Sequence, residues 1–123
     1  MVTTAQQSYQ ESVELAVEAE KLGVDGAWFR VHHFADQIGT PYPLMAAIAA
    51  KTSRIEIGTG VVDMRYENPY MMAENVMSTD VLSQNRVQLA SVAGLRSRSK
   101  TAGSIGAMII VKRKLKTSPV SAH

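Results

Sequence analysis

Gly26-Ala27-Trp28-Phe29-Arg30-Val31, then Pro43-Leu44-Met45-Ala46-Ala47-Ile48-Ala49-Ala50, then Arg54-Ile55-Glu56-Ile57-Gly58-Thr59-Gly60-Val61-Val62, is the stretch that decides the fold. The first run is short, aromatic and β-branched, and reads as a strand leading into His32-His33-Phe34. The second is rich in alanine with a proline near its first turn, and reads as a buried helix. The third is again β-branched and reads as a strand. Strand, helix and strand with short connections form the repeating unit of a parallel sheet.

The same alternation extends on both sides. From Ser8 to Leu22 the apolar positions Tyr9, Val13, Ala16 and Val17 share one side at a period near 3.6, with Glu11, Glu14, Glu18 and Lys21 opposite, so the segment reads as an amphipathic helix closed by Gly23. On the other side Asn68-Pro69 supplies a cap and a first-turn proline for a helix running through Met71, Val76 and Val81 to Leu82. Ser83-Gln84-Asn85 turns the chain, and Arg86-Val87-Gln88-Leu89 begins a third strand. The expected class is therefore α/β. A closed (β/α)8 barrel takes about 250 residues, so three strands would make a partial barrel, with open strand edges and exposed apolar helix backs. After Leu89 the alternation stops. The chain divides into residues 1–89, an α/β sector, and residues 90–123, an irregular tail.

Composition narrows the function classes. With 123 residues, 46% hydrophobic and 20% charged, the chain is an ordinary globular sequence and not a collagen, a mucin or a disordered tail. It lacks an apolar run of about 18 residues and a signal-peptide pattern at its start, so a cytoplasmic protein without a membrane partner is expected. Zero cysteines exclude disulfides, thiol catalysis and cysteine-ligated metals. His32 and His33 are adjacent on a strand and point to opposite faces, so no metal site is expected of them. The net charge of +2 is unevenly placed. Every acidic residue lies at or before Asp80, while the tail holds Arg96, Arg98, Lys100, Lys112, Arg113, Lys114 and Lys116. Such a basic arm is one signature of nucleic-acid or anionic-lipid binding.

Residues at the C-terminal ends of parallel strands line the mouth of α/β folds, which makes His32 and His33 the first candidates for chemistry. Gly58-Thr59-Gly60 is not a dinucleotide fingerprint, because strand-like residues follow it where a helix should open. Two glycines late in a strand instead imply close approach by a ligand or another backbone. Asp63, Arg65 and Glu67 form a charged loop, read more economically as local ion pairs in solvent than as a substrate contact. Glu74 and Asp80 read as surface charges, and Met71-Met72 as packing residues.

The ordered motifs, Trp28-Phe29-Arg30-Val31-His32-His33-Phe34, Pro41-Tyr42-Pro43-Leu44, Ala49-Ala50-Lys51-Thr52-Ser53-Arg54-Ile55, Ile57-Gly58-Thr59-Gly60-Val61, Asn68-Pro69, Ala73-Glu74 and Asp80-Val81-Leu82-Ser83, resemble the bacterial luciferase-like flavin monooxygenases. The resemblance covers about Tyr9 to Leu89. It implies a (β/α)8 barrel that holds reduced flavin, FMN or in some branches the deazaflavin F420, and reacts it with oxygen and a small organic substrate. It also implies a flavin reductase as partner. On that template the three strands are the second, third and fourth of the barrel. His32 matches the catalytic histidine beside the flavin, and His33, Gly60 and Val61 fall at cofactor-binding positions, with Gly60-Val61 at a pair that is often joined by a cis peptide. Val31 stands where luciferase has an acidic residue, a departure that bears on the reaction more than on flavin binding.

Family members end the fourth strand in a pattern such as Gly-Ile-Ser-Arg-Gly, whose arginine helps to hold the flavin phosphate. Here the chain reads Ala90-Ser91-Val92-Ala93-Gly94. One added base after a permissible Leu89 codon converts the back-translated tail to Leu-Gly-Ile-Ser-Arg-Gly-Ser-Pro-Glu-Gln-Val, the family continuation. The tail is thus expected to be off-frame and poorly ordered, which accounts for its lack of acids without a phosphate-binding role. The expectation for function is a flavin-dependent monooxygenase by descent, in which this stretch alone binds no flavin tightly and is inactive. The alternative is a non-enzymatic binding module whose cationic tail contacts nucleic acid or anionic lipid. Open strand edges would further allow self-association.

Overall fold

A computed structural model describes residues 4–33, 38–92 and 109–112. Phe34, residues 35–37 of the following loop and most of the tail lie outside the described residues. In chain order the elements are α1 (Ala5–Lys21), β1 (Gly26–Phe29), α2 (Pro41–Lys51), β2 (Glu56–Thr59), β3 (Val62–Asp63), a 3-10 turn (Met64–Tyr66), α3 (Pro69–Leu82), β4 (Val87–Gln88), β5 (Ser91–Val92) and β6 (Ile109–Lys112). Strands β4, β2 and β1 lie side by side and parallel, each followed or preceded by a helix, as the βαβ reading requires. The order and parallel pairing agree with the sector of a (β/α)8 barrel expected from the sequence.

Helix starts are set by local hydrogen bonding. Helix α1 begins at Ala5, ahead of the expected Ser8, because Thr4 and Gln7 form a capping box. The Gln7 N–H donates to Thr4 Oγ1 at 3.2 Å, and the Thr4 N–H donates to Gln7 Oε1 at 3.0 Å, which satisfies two donors that the first turn leaves free. Helix α2 begins at Pro41, where proline has no N–H to satisfy. Helix α3 is capped by Asn68 Oδ1, which accepts from the N–H groups of Tyr70 and Met71. Gly23 takes a φ of +83° directly after α1, a left-handed conformation suited to glycine.

The core lies between one face of the sheet and helices α1 and α2. Ala27, Phe29 and Ile57 from the strands meet Ala16, Ala19, Leu44, Met45 and Ile48, and Val31 and Val87 pack against the same cluster. A fully buried side chain the size of Phe29 or Ile48 contributes about 1.5–3 kcal/mol. Because strand side chains alternate, Gly26, Trp28 and Arg30 project from the other, inner face. Helix α3 is less embedded. Of its residues Thr79 is buried, while Tyr70, Met77, Val81 and Leu82 are exposed, as expected for helix backs in a barrel sector.

The end of the sheet where the strands begin is fixed by polar anchors. Arg86, just ahead of β4, is buried and donates to the carbonyls of Ala49, Thr52, Ile55 and Ser83 and to the Thr52 hydroxyl. It ties the end of α2 to the starts of β2 and β4. The Glu20 carboxylate accepts from the N–H groups of Ser53, Arg54 and Ile55. Burial pushes its pKa up, but the three backbone donors outweigh that and leave it below the ordinary carboxylate value. Asp80, read as a surface charge, also ties two elements together. Its Oδ1 accepts from the Val87 N–H at 3.1 Å and holds β4 against α3.

One strand boundary is corrected. The strand reading from Arg54 to Val62 is too long: β2 ends at Thr59, and the chain bends at Gly60 before β3. Within the tail, Ser91–Val92 pairs in parallel with β3, and Ile109–Lys112 forms β6 antiparallel to β1, while residues 93–108 and 113–123 lie outside the described residues. The physical reason is that β1 offers a row of unpaired backbone groups on that side, and the β-branched run Ile109-Ile110-Val111 satisfies them. The β1 edge is therefore not open.

Candidate active site at the strand ends

Parallel pairing places the C-terminal ends of β1 and β2 side by side. Phe29 is opposite Thr59, and the Gly60 N–H donates to the Phe29 carbonyl at 2.8 Å, which locks the two ends together. His32 and His33 follow β1, and Gly60 and Val61 follow β2, so the four candidate residues share one rim of the sheet. All four are half-buried. The His32 N–H donates to the Ile38 carbonyl at 2.9 Å, which draws the loop after β1 back over its end. The Gly60–Val61 peptide bond is cis, as the resemblance implies.

The glycines of β2 differ in what they admit. A Cβ at Gly58 would lie 2.4 Å from the Trp28 indole and 2.7 Å from the Gln88 carbonyl oxygen. A Cβ at Gly26 would also meet that indole at 2.4 Å. Trp28 thus lies flat across the inner face, in a trough that two glycines leave open. The close approach expected at Gly58 is made by a side chain and a neighbouring strand's carbonyl. At Gly60 the nearest atom to such a Cβ is 3.5 Å away, so the backbone at the rim is uncrowded.

A second layer of groups stands behind His33. Its ring centroid is 5.0 Å from that of Tyr66, with the planes tilted by 46°, and the Arg65 guanidinium carbon is 5.6 Å from the centre of the Tyr66 ring. Arg65 binds the Asp63 carboxylate at 2.6 Å. Hydrogen bonds from Arg65, joined by its positive charge, hold the Asp63 carboxyl below its ordinary value. The economical reading of Asp63 and Arg65 as a local ion pair is the one the geometry supports. Tyr42 is buried, and its hydroxyl faces the Glu67 carboxylate without a hydrogen bond of full geometry. Burial first, then the negative charge of Glu67, pushes its pKa up to about 12, so it stays a neutral phenol.

Sequence reasoning did not single out Trp28, Tyr42 or Tyr66 for this region. Trp28 could have been found from the glycines at 26 and 58, the first lying two positions before it on the same face of its own strand and the second set opposite it by parallel pairing. Tyr42 and Tyr66 left no signal, since nothing in their spacing says which loops meet.

A family model described as luciferase-like monooxygenase matches residues 1–105. The chain belongs to that family. It is 35% identical over 89 residues to the 4-hydroxyprotoasukamycin monooxygenase of Streptomyces nodosus, covering 71% of this chain and 24% of that one. It is 30% identical over 96 residues to the oxygenase component of the flavin-dependent trigonelline monooxygenase of Acinetobacter baylyi, covering 76% and 27%. Among solved structures, apo-MsnO8 superposes with a TM-score of 0.72 at 32% identity, over 80% of this chain and 31% of that one. The oxygenating constituent of 3,6-diketocamphane monooxygenase from Pseudomonas putida, solved with FMN, gives a TM-score of 0.72 at 23% identity over 76% and 26%, a likeness of fold. The chain spans about a quarter of the length of these curated relatives. Among the described residues, no helix is long and apolar enough to cross a membrane.

Proposed function

We propose that this chain carries one wall of the flavin site of a flavin-dependent monooxygenase acting on a small organic substrate. The observation that carries the reading is the convergence of His32, His33, Gly60 and Val61 on one rim of a parallel sheet, in a chain of this family. The rim fits a planar ring system: Gly60 leaves its backbone uncrowded, and the inner face below it is apolar and aromatic at Trp28. Reduced flavin, when bound, supplies the activation of oxygen. The chain's own part is to seat the ring against Gly60 and Val61 and to present the imidazole of His32 as a group that can donate or accept a hydrogen bond at the reacting centre. His33 contributes from the opposite side of the chain, steadied by the Tyr66 ring.

FMN is the proposed cofactor, with deazaflavin F420 as the other family choice. Both kinds of protein occur among the structural neighbours, one solved with FMN and one named as a coenzyme F420-dependent reductase. A separate flavin reductase is the proposed partner, in keeping with a relative named as the oxygenase component of its enzyme.

The 123-residue chain by itself, in this reading, neither binds FMN tightly nor turns over. Three parallel strands contact a flavin from one side, and preorganised contacts on a single wall leave the phosphate and most of the ring in water. A fluorescence titration with FMN tests this: weak, non-stoichiometric quenching is expected, and tight stoichiometric binding overturns it.

A further inference from the structure

Ala27, Phe29 and Val31 all pack toward the core, so the alternation of β1 continues past its last paired residue and puts Arg30 on the inner face with Trp28. Arg30 follows Phe29, whose carbonyl receives the Gly60 N–H, so it stands at the rim beside Gly60. It is half-buried. The other described arginines are all engaged: Arg54 with Asp25 and the carbonyls of Glu20 and Val24, Arg65 with Asp63, and Arg86 with four carbonyls. Among the described residues Arg30 makes no hydrogen bond or ion pair. A guanidinium carries five donors in a rigid planar fork and stays charged at any working pH. Its stem packs at the rim while its donors, unclaimed by the protein, are open to an acceptor that arrives there. The acceptor that matches the fork is an oxyanion, taken through two parallel hydrogen bonds.

We propose that Arg30 is the anion-binding residue of this site and selects ligands that join an apolar or aromatic body to an oxyanion. The body lies toward the Trp28 indole, and the oxyanion meets the guanidinium at the rim. The oxyanion belongs either to a carboxylate on the substrate or to the phosphate of the cofactor. The inference rests on the reading of this rim as the ligand site, and it adds to that reading the charge the ligand must carry.

The test is a set of titrations of the intact 123-residue chain, followed by amide chemical shifts, with two matched pairs of probes: FMN against riboflavin, and benzoate against benzamide. The expected result is that at least one anion binds about tenfold more tightly than its neutral counterpart. In Arg30→Gln that preference should fall to about one, while Arg30→Lys, which keeps the charge but not the fork, retains part of it. A preference for FMN identifies the phosphate as the source, and a preference for benzoate identifies a carboxylate substrate. The proposal is overturned if neither preference exists in the unaltered chain, or if either survives unchanged in Arg30→Gln. Failure of the flavin reading shows separately, as absence of shifts at Gly60 and Val61 with both flavins while the benzoate pair still reports on Arg30.

Discussion

Trp28 and Gly58 sit directly opposite each other on neighbouring parallel strands, and the indole fills the space where a side chain at position 58 would be. The missing Cβ on one strand is what allows the large ring on the other to lie flat. The same contact closes the floor beneath the rim that holds Gly60 and His32.

Replacing Gly58 by alanine should therefore be costly. The added methyl group meets the indole on one side and the Gln88 carbonyl on the other, and the second is backbone that cannot rotate away. Overpacking of this kind destabilises by about 1–3 kcal/mol. Gly60→Ala meets only ordinary contact distances and should stay within about 0.5 kcal/mol. Urea unfolding of the two variants checks the contrast, and equal effects would contradict it.

Glu20 should give the stability of the chain an acid-side pH dependence. Its folded-state pKa lies below the ordinary 4.5, so its contribution is fully present above that value and is lost as pH falls through the folded-state pKa. Glu20→Gln should be less stable than the unaltered chain at pH 7, with the gap closing as pH drops below 4.5. Denaturant unfolding at a series of pH values measures the gap, and a difference independent of pH would refute the assignment.

An off-frame tail carries a prediction at the level of DNA. Read from the third base of the Leu89 codon, the coding sequence should give Gly-Ile-Ser-Arg-Gly-Ser-Pro-Glu-Gln-Val. Sequencing the gene across that codon decides the matter, and a different decapeptide or an early stop in that frame would rule out a frame shift there.

The βαβ pattern was legible because Ala27, Phe29, Ile55 and Ile57 alternate cleanly and because Asn68-Pro69 starts a helix by hydrogen bonds that are local in sequence. The strand-end places of His32 and of the late glycines were legible from the pattern, but their meeting on one rim was not: His32 and Gly60 lie 28 positions apart in the chain, and nothing in their spacing alone puts them on one edge. The break of the second strand at Gly60 was missed, since Val61 and Val62 have strand-forming side chains and the bend lies in the backbone. The pairing of β6 with β1 was missed for a related reason. A strand of four residues far along the chain is chosen by which edge is vacant, a property of the assembled sheet. Arg30 was passed over because a lone arginine in a strand reads as an ordinary surface charge until the partners of the other arginines are known.

The rim formed by the ends of β1 and β2 is proposed to be where a flavin sits, and the most direct test is an amide-shift map of the 123-residue chain titrated with FMN. Weak binding is predicted, with shifts concentrated at His32, His33, Gly60 and Val61 and little change along the helix-facing positions of α1 and α2. Shifts confined to another surface, or tight binding with no change at Gly60 and Val61, would contradict it.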